Sequence, residues 1–229
     1  MKIFGICPER RYMAFTLIEL LVVIAVIAIL AALIFPVTIG LKKQRMIKVG
    51  QTELAQVETA AEAYKAKYGF YPPDNPSNPL INQLYFELKG TVLSNGSYQA
   101  LDGSGQIAAT PAAFQAAFGA STSVSGFVNS SKSTRGNDDS GTAINFLKDL
   151  KPNQSGALPA GATIKVLTCS VLWDQLALVA GGNPTGMNPW QYNSSHPTNN
   201  PNSYDLWVDL LISGKTNRIS NWSRQPQVL

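Results

Sequence analysis

Residues Phe15 to Phe35 read FTLIELLVVIAVIAILAALIF, and only Thr16 and Glu19 interrupt their apolar character. As a helix the run would span about 31 Å, enough for a hydrocarbon core of about 30 Å. A secretory signal peptide has a shorter apolar stretch, about 7–15 residues, followed by a small-residue cleavage site. Here the run is longer, and Pro36 and the basic residues Lys42, Lys43, Arg45 and Lys48 follow it. The run therefore predicts a membrane-inserted helix. Glu19 is its anomaly, because a carboxylate at mid-membrane costs at least roughly 2.5–3.5 kcal/mol, less near an end where it can snorkel. Two readings are open: an acid tolerated at the interface, or one that meets a positive group on another chain.

Beyond the run, Pro36 and Gly40 can kink the helix. Ile47, Gly50, Leu54, Val57, Ala61, Tyr64 and Tyr68 then recur at alternating intervals of three and four, one stripe of an amphipathic helix. Glu53, Glu58, Glu62, Lys65 and Lys67 fall mostly off the stripe, and Glu62 and Lys65 are spaced to pair. Gly69 is placed to end the helix, and Pro72-Pro73 prevent its resumption. The stripe is expected to pack on the sheet of its own domain.

The rest of the 229-residue chain is lightly charged. Charged residues make up 14% of the whole, against about 25% in an average soluble domain. Between Gly69 and Leu229 nine basic residues balance nine acidic ones, which argues against nucleic-acid binding by charge. One His and two Cys, Cys7 and Cys169, cannot build a zinc site. Short helices are expected at Leu80–Leu88, Pro111–Phe118 and Thr142–Leu150. Strands are expected at Thr163–Leu167, Leu176–Ala180, Pro189–Asn193, Tyr204–Ile212 and Arg218–Trp222. Residues 94–141 read as a Gly/Ser/Asn-rich insertion, with an exposed loop over Ser121–Gly141.

The string Arg10-Arg11-Tyr12-Met13-Ala14-Phe15-Thr16-Leu17-Ile18-Glu19-Leu20 resembles the N-terminal signature of type IV pilins and type II secretion pseudopilins: a basic leader, a small residue, FTLIE and a long apolar helix. The family usually has Gly where Ala14 stands. The resemblance implies cleavage by a prepilin peptidase between Ala14 and Phe15, N-methylation of Phe15, and pairing of Glu19 with the N-terminal amine of a neighbouring subunit. A buried ammonium needs a counter-charge, which Glu19 would supply. The string from Ala63 to Pro72, AYKAKYGFYP, is similar to the helix exit of many pseudopilins. Asn188-Pro189-Trp190-Gln191-Tyr192, Tyr204-Asp205-Leu206-Trp207 and Ile219-Ser220-Asn221-Trp222 follow the order of the major-pseudopilin ending. There a loop binds calcium. Here Asp205 and Asp209 are present, but Ser213 to Arg218 stand where acids belong, so a metal-free loop is favoured over calcium.

Three other motifs invite a chemical reading. Gly181 to Asn188 has Walker-A glycine spacing but Met187 at the lysine position, so it reads as a turn. His196, with Ser194 and Asp205, lacks a nucleophile elbow and reads as a surface histidine. Cys169 reads as a small buried side chain.

The expectation is an α+β protein. A leader (1–14) precedes a transmembrane and assembly helix (15–35), its amphipathic continuation (36–69) and a periplasmic domain (70–229), the long helix packing on a C-terminal antiparallel sheet as in pilins. The implied role is structural and non-catalytic: a subunit that stacks with its own copies and other pseudopilins into a filament at the bacterial inner membrane, with a prepilin peptidase and a secretion platform as further partners and no nucleic acid. A type IV pilus subunit and a single-pass membrane-anchored binding domain are the alternatives.

Overall fold

The structure, a computed structural model, describes residues 15–119, 126–132, 141–157, 164–173 and 186–229, and of residues 33–39 only the backbone. The leader with Ala14, the strand expected at Leu176–Ala180 and much of the Ser121–Gly141 and Gly181–Asn188 segments lie outside the described residues. The chain forms two compact units, Met1–Lys42 and Lys43–Leu229.

Helix α1 runs from Leu17 to Tyr68. From Lys42 onward charges interrupt the helix face. Among the described residues no helix is long and apolar enough to cross a membrane, which corrects the expected transmembrane helix. The expected packing of one long helix on one C-terminal antiparallel sheet is corrected as well, because the strands divide among three sheets and one pairing is parallel.

In the unit Lys43–Leu229, α1 buries Gly50, Leu54, Val57, Ala60, Ala61 and Tyr64, with Ile47 and Tyr68 half-buried. Gly50 marks a close approach: a Cβ there would lie 3.4 Å from the side chains of Ile219 and Leu210. Glu53, expected off the stripe, is buried and accepts a hydrogen bond from the Ser170 amide at 2.9 Å. The helix stops at Gly69, whose φ of +85° favours glycine and whose N–H donates to the Lys65 carbonyl at 2.8 Å.

Helix α2 (Leu84–Lys89) leads into β1 (Thr91–Ser94), β2 (Ser97–Ala100) and β3 (Gln106–Ala108), an antiparallel meander. Helix α3 spans Pro111–Phe118, and Thr110 caps it by accepting from the Ala113 amide. Strand β4 (Ser130–Lys132) returns parallel to β1, giving the order β3-β2-β1-β4. Strands β5 (Ser155–Ala157) and β6 (Lys165–Leu167) form a two-stranded ribbon. Strands β7 (Gln191–Asn193), β8 (Asp205–Ile212), β9 (Lys215–Ser220) and β10 (Ser223–Val228) form an antiparallel sheet ordered β10-β9-β8-β7.

The described residues of the 94–141 stretch supply β2, β3, β4 and α3, and Phe127 is buried and stacks on Phe86 with ring centroids 4.8 Å apart. Two further expectations change. Thr142–Leu150 is not helical: its backbone bonds elsewhere, the Ile144 amide to Asn129 Oδ1 and the Phe146 amide to the Leu88 carbonyl. The strand expected at Arg218–Trp222 holds for residues 218–220, which end β9, while Asn221 and Trp222 form the turn into β10.

Candidate functional site

The unit Met1–Lys42 presents the first candidate. The Thr16 carbonyl accepts from the Leu20 amide at 3.3 Å, so Thr16 is the residue that opens α1. Its amide and its hydroxyl both donate to Glu19 Oε2 at 2.8 Å, while the Glu19 amide donates to Thr16 Oγ1 at 3.3 Å. Thr16-Leu17-Ile18-Glu19 is thus a capping box, in which each end of the motif satisfies an orphan donor of the other. A negative side chain in a helix's first turn also complements its dipole. Around this box Phe15, Leu17 and Ile18 are exposed to 78%, 80% and 69%, and the large apolar residues from Leu20 to Leu30 remain about half exposed or more. Phe15, Ile18, Glu19, Val22 and Val23 line a shallow hollow of about 400 Å³. In a single chain this is an unpartnered apolar face with one carboxylate at its edge. Phe15 and Glu19 of the expected site are therefore near neighbours on one helix turn, whereas Ala14 lies outside the described residues.

The unit Lys43–Leu229 carries a second feature, which the sequence reading did not single out. Two adjoining clefts run beside α1. One, about 460 Å³, is lined by Gln51, Leu54, Glu58 and residues 219–224. The other, about 610 Å³, is lined by Ala55, Glu58, Thr59, Glu62, Asn200, Ser203, Tyr204 and Asn221. Glu58 borders both. Desolvation, and then the Glu62 carboxylate beside it, hold its carboxyl above the usual range. Glu62 accepts from the Tyr71 hydroxyl at 3.1 Å. Lys65 does not pair with Glu62 as expected; its ammonium sits over the Tyr71 ring, 4.2 Å from the centroid. Among the described residues the ion pairs are Lys89–Asp102 and Arg218–Asp209, so neither Glu58 nor Glu62 is in one.

Three other carboxylates serve the fold. Asp205 accepts from the Thr198, Asn199 and Asn200 amides at 2.8–2.9 Å and tightens the turn before β8. Asp74 accepts from the Ser194 and Ser195 amides and the Ser195 hydroxyl, all on Oδ2. Asp209 holds Arg218 through two bonds of 2.7 and 2.8 Å. Ser213 and Gly214, with φ of +53° and +74°, form a two-residue turn between β8 and β9. Asp205 and Asp209 are thus taken by protein donors, and the turn is too short to wrap a calcium ion needing six to eight oxygens. No group of three His, Cys, Asp or Glu among the described residues could hold a metal ion. Ser194 donates to the Pro72 carbonyl and, although Asn193 before it pairs with Asp205 across the strands, the Asp205 carboxylate is taken by residues 198–200; His196 is exposed and contacts Ser195. Cys169 is buried, and burial, followed by the nearby Glu53, pushes its thiol well above the usual range, so it is no thiolate nucleophile.

A buried polar cluster was also missed. Glu87 is fully buried; Oε1 accepts from the Val128 amide at 2.9 Å and Oε2 from the Asn129 amide and the Tyr64 hydroxyl at 3.0 Å. Asn129 then donates to the Glu87 and Ile144 carbonyls and accepts from the Ile144 amide and the Tyr68 hydroxyl. These bonds tie α1, α2, the residues just before β4 and the segment around Ile144 together.

No protein-family model, no curated protein and no solved structure matches this chain.

Proposed function

We propose that the protein is a structural, non-catalytic subunit of a pilus-like filament, a pseudopilin of a type II protein secretion system in which copies bury their N-terminal apolar segments against one another. The observation that carries this reading is the unpartnered apolar face from Phe15 to Leu30, half exposed or more in the single chain, with Glu19 at its N-terminal edge. Leaving such a face in water is unfavourable by about 25 cal/mol per Å², so it calls for burial. The string from Arg10 to Leu20 supports the choice of pilin-like partners, and the YDLW and NW strings of the C-terminal region favour secretion over a surface pilus. Assembly at the bacterial inner membrane, with the body on the periplasmic side, is supported by the basic leader and the apolar run up to Phe35, in sequence alone.

Within that reading the prepilin peptidase cuts between Ala14 and Phe15. Thr16 holds the Glu19 carboxylate one turn from the new amine, and a neighbouring copy's amine takes up the carboxylate's remaining acceptor capacity. Substituting Glu19→Gln separates charge from capping, because Gln also serves at the third position of a capping box. In a host with an active peptidase, the expected result is a chain of intact mass beginning at N-methylated Phe15 for both forms. Only the Glu form should sediment as sheared filaments. A Gln variant that assembles normally makes Glu19 a helix cap and nothing more. A wild-type chain that is processed but never sediments removes the filament reading.

A further inference from the structure

We propose that the cleft bordered by Glu58 and Glu62 receives Arg45 and Lys48 of a second copy of this chain, a different neighbour from the one whose amine meets Glu19, which sets that pair of parallel copies about 20 Å apart along their helix axes. The inference rests on the filament reading and adds a register and a pair of contacts to it.

Three observations carry it. Glu58 and Glu62 line one cleft of about 610 Å³, between α1 and the Asn200–Tyr204 turn, open enough to admit two long side chains. Neither carboxylate is in an ion pair among the described residues, and desolvation, followed by the adjacent like charge of Glu62, raises Glu58, the condition a cation would relieve. Of the cations nearest this cleft, Lys65 is placed over the Tyr71 ring, and Arg224, which lines the adjoining cleft, is in no ion pair among the described residues.

The complementary charges stand on the same helix. Arg45 and Lys48 are exposed, three residues apart, and in no ion pair among the described residues. Glu58 and Glu62 are four residues apart. Intervals of three and four both place side chains on one helix face, so the two pairs match as stripes. The axial distance from Arg45 to Glu58, and from Lys48 to Glu62, is about 20 Å in each case. One translation therefore satisfies both contacts in a parallel pair. An antiparallel pair would reverse the order of the two stripes relative to the apolar segments. The cleft partly excludes water, which makes a charge pair there worth more than a surface one. Electrostatic complementarity of this kind fixes register and rejects wrong offsets.

The test uses the full chain in a host that processes it. Arg45→Cys and Glu58→Cys are combined in one chain. They stand about 20 Å apart along one helix, out of reach of each other within a copy, and Cys169 is buried. A bismaleimide as long as the Arg–Glu pair it replaces, added to the sedimented fraction, is expected to give a ladder of covalently joined copies, with monomer only for either single-cysteine variant. In a second arm, Glu58→Lys with Glu62→Lys is expected to lower the sedimented fraction about tenfold. Adding Arg45→Glu and Lys48→Glu to that chain is expected to restore it. A ladder absent from filaments that sediment normally, or a reversal that the compensating pair does not rescue, overturns the proposed register while leaving the filament reading intact. Cross-linking of Glu58→Cys to a different protein, without a ladder, assigns the cleft to that partner and also overturns it. Absence of any sedimenting wild-type chain is the failure of the filament reading itself, and the register falls with it.

Discussion

Glu87 is the residue where burial and charge meet most sharply. Burial pushes its carboxyl above the usual range, against the backbone amides of Asn129 and Val128 and the Tyr64 hydroxyl, which favour the ionised form. Because each carboxylate oxygen accepts a backbone amide, the site has no orientation that suits an amide side chain. Glu87→Gln would face an NH₂ against one of those two N–H groups whichever way it turned. The expected loss is about 1–3 kcal/mol, the penalty for a buried donor without an acceptor. Urea denaturation at neutral pH would measure it, and an unchanged midpoint would show that the cluster relaxes around the amide. Nothing in the sequence near Glu87 announces this role, since its partners Tyr64, Val128 and Asn129 come from two distant segments. Glu19 shows the converse. Its capping box is written in four adjacent residues, Thr16 to Glu19, yet inside an apolar run the acid draws the eye as a membrane anomaly and its local role is overlooked.

At the scale of elements, what was legible was what repeats. The stripe at alternating intervals of three and four names the buried face of α1, and Leu54, Val57, Ala61 and Tyr64 are indeed buried. Helix α3 was legible from Pro111 at its first turn, and the structure adds the Thr110 cap. The short strands β6 and β7 fall within expected strands, but β1 to β5 were not legible. The hairpin of β1 and β2 turns on Asn95-Gly96, with φ of +51° and +73°, the dipeptide best suited to such a turn, but four-residue strands on either side offer too little alternation to be read. Thr142–Leu150 fails for another reason: its amides find Asn129 and Leu88, which lie far off in sequence. The turn of β8 and β9 gives a test of conformation alone. Gly214 has φ of +74° and nothing within 4 Å of where a Cβ would stand. Gly214→Ala is expected to lower stability by about 1 kcal/mol from the left-handed backbone, and Gly214→Asn by less, since Asn tolerates that region. Comparing the two melting temperatures checks it; equal losses would place the cause in packing instead.

For the whole molecule, the decisive question is where the cooperative unit begins. The unit Lys43–Leu229 encloses the buried side chains of the core, from Leu54 to Ile219, without help from the apolar segment before it. A chain starting at Lys43 is therefore expected to fold and melt cooperatively, yet not to sediment as filaments, because it lacks Phe15 to Leu30. A chain starting at Phe70 should behave differently. It loses Leu54, Val57, Ala60, Ala61 and Tyr64 from the core, each large side chain worth about 1.5–3 kcal/mol of burial. It also leaves polar groups without partners: Glu87 loses the Tyr64 hydroxyl, Asn129 the Tyr68 hydroxyl, the Ser170 amide loses Glu53 and Gln154 loses Gln56. A domain's whole stability is about 5–15 kcal/mol, so the combined loss is enough to unfold it. Circular dichroism melts of the two truncated chains provide the measurement. The expected outcome is a sharp transition for the first and a featureless one for the second. A sharp transition surviving in the second would mean that the three sheets hold together by themselves and that α1 is an attachment rather than part of the core.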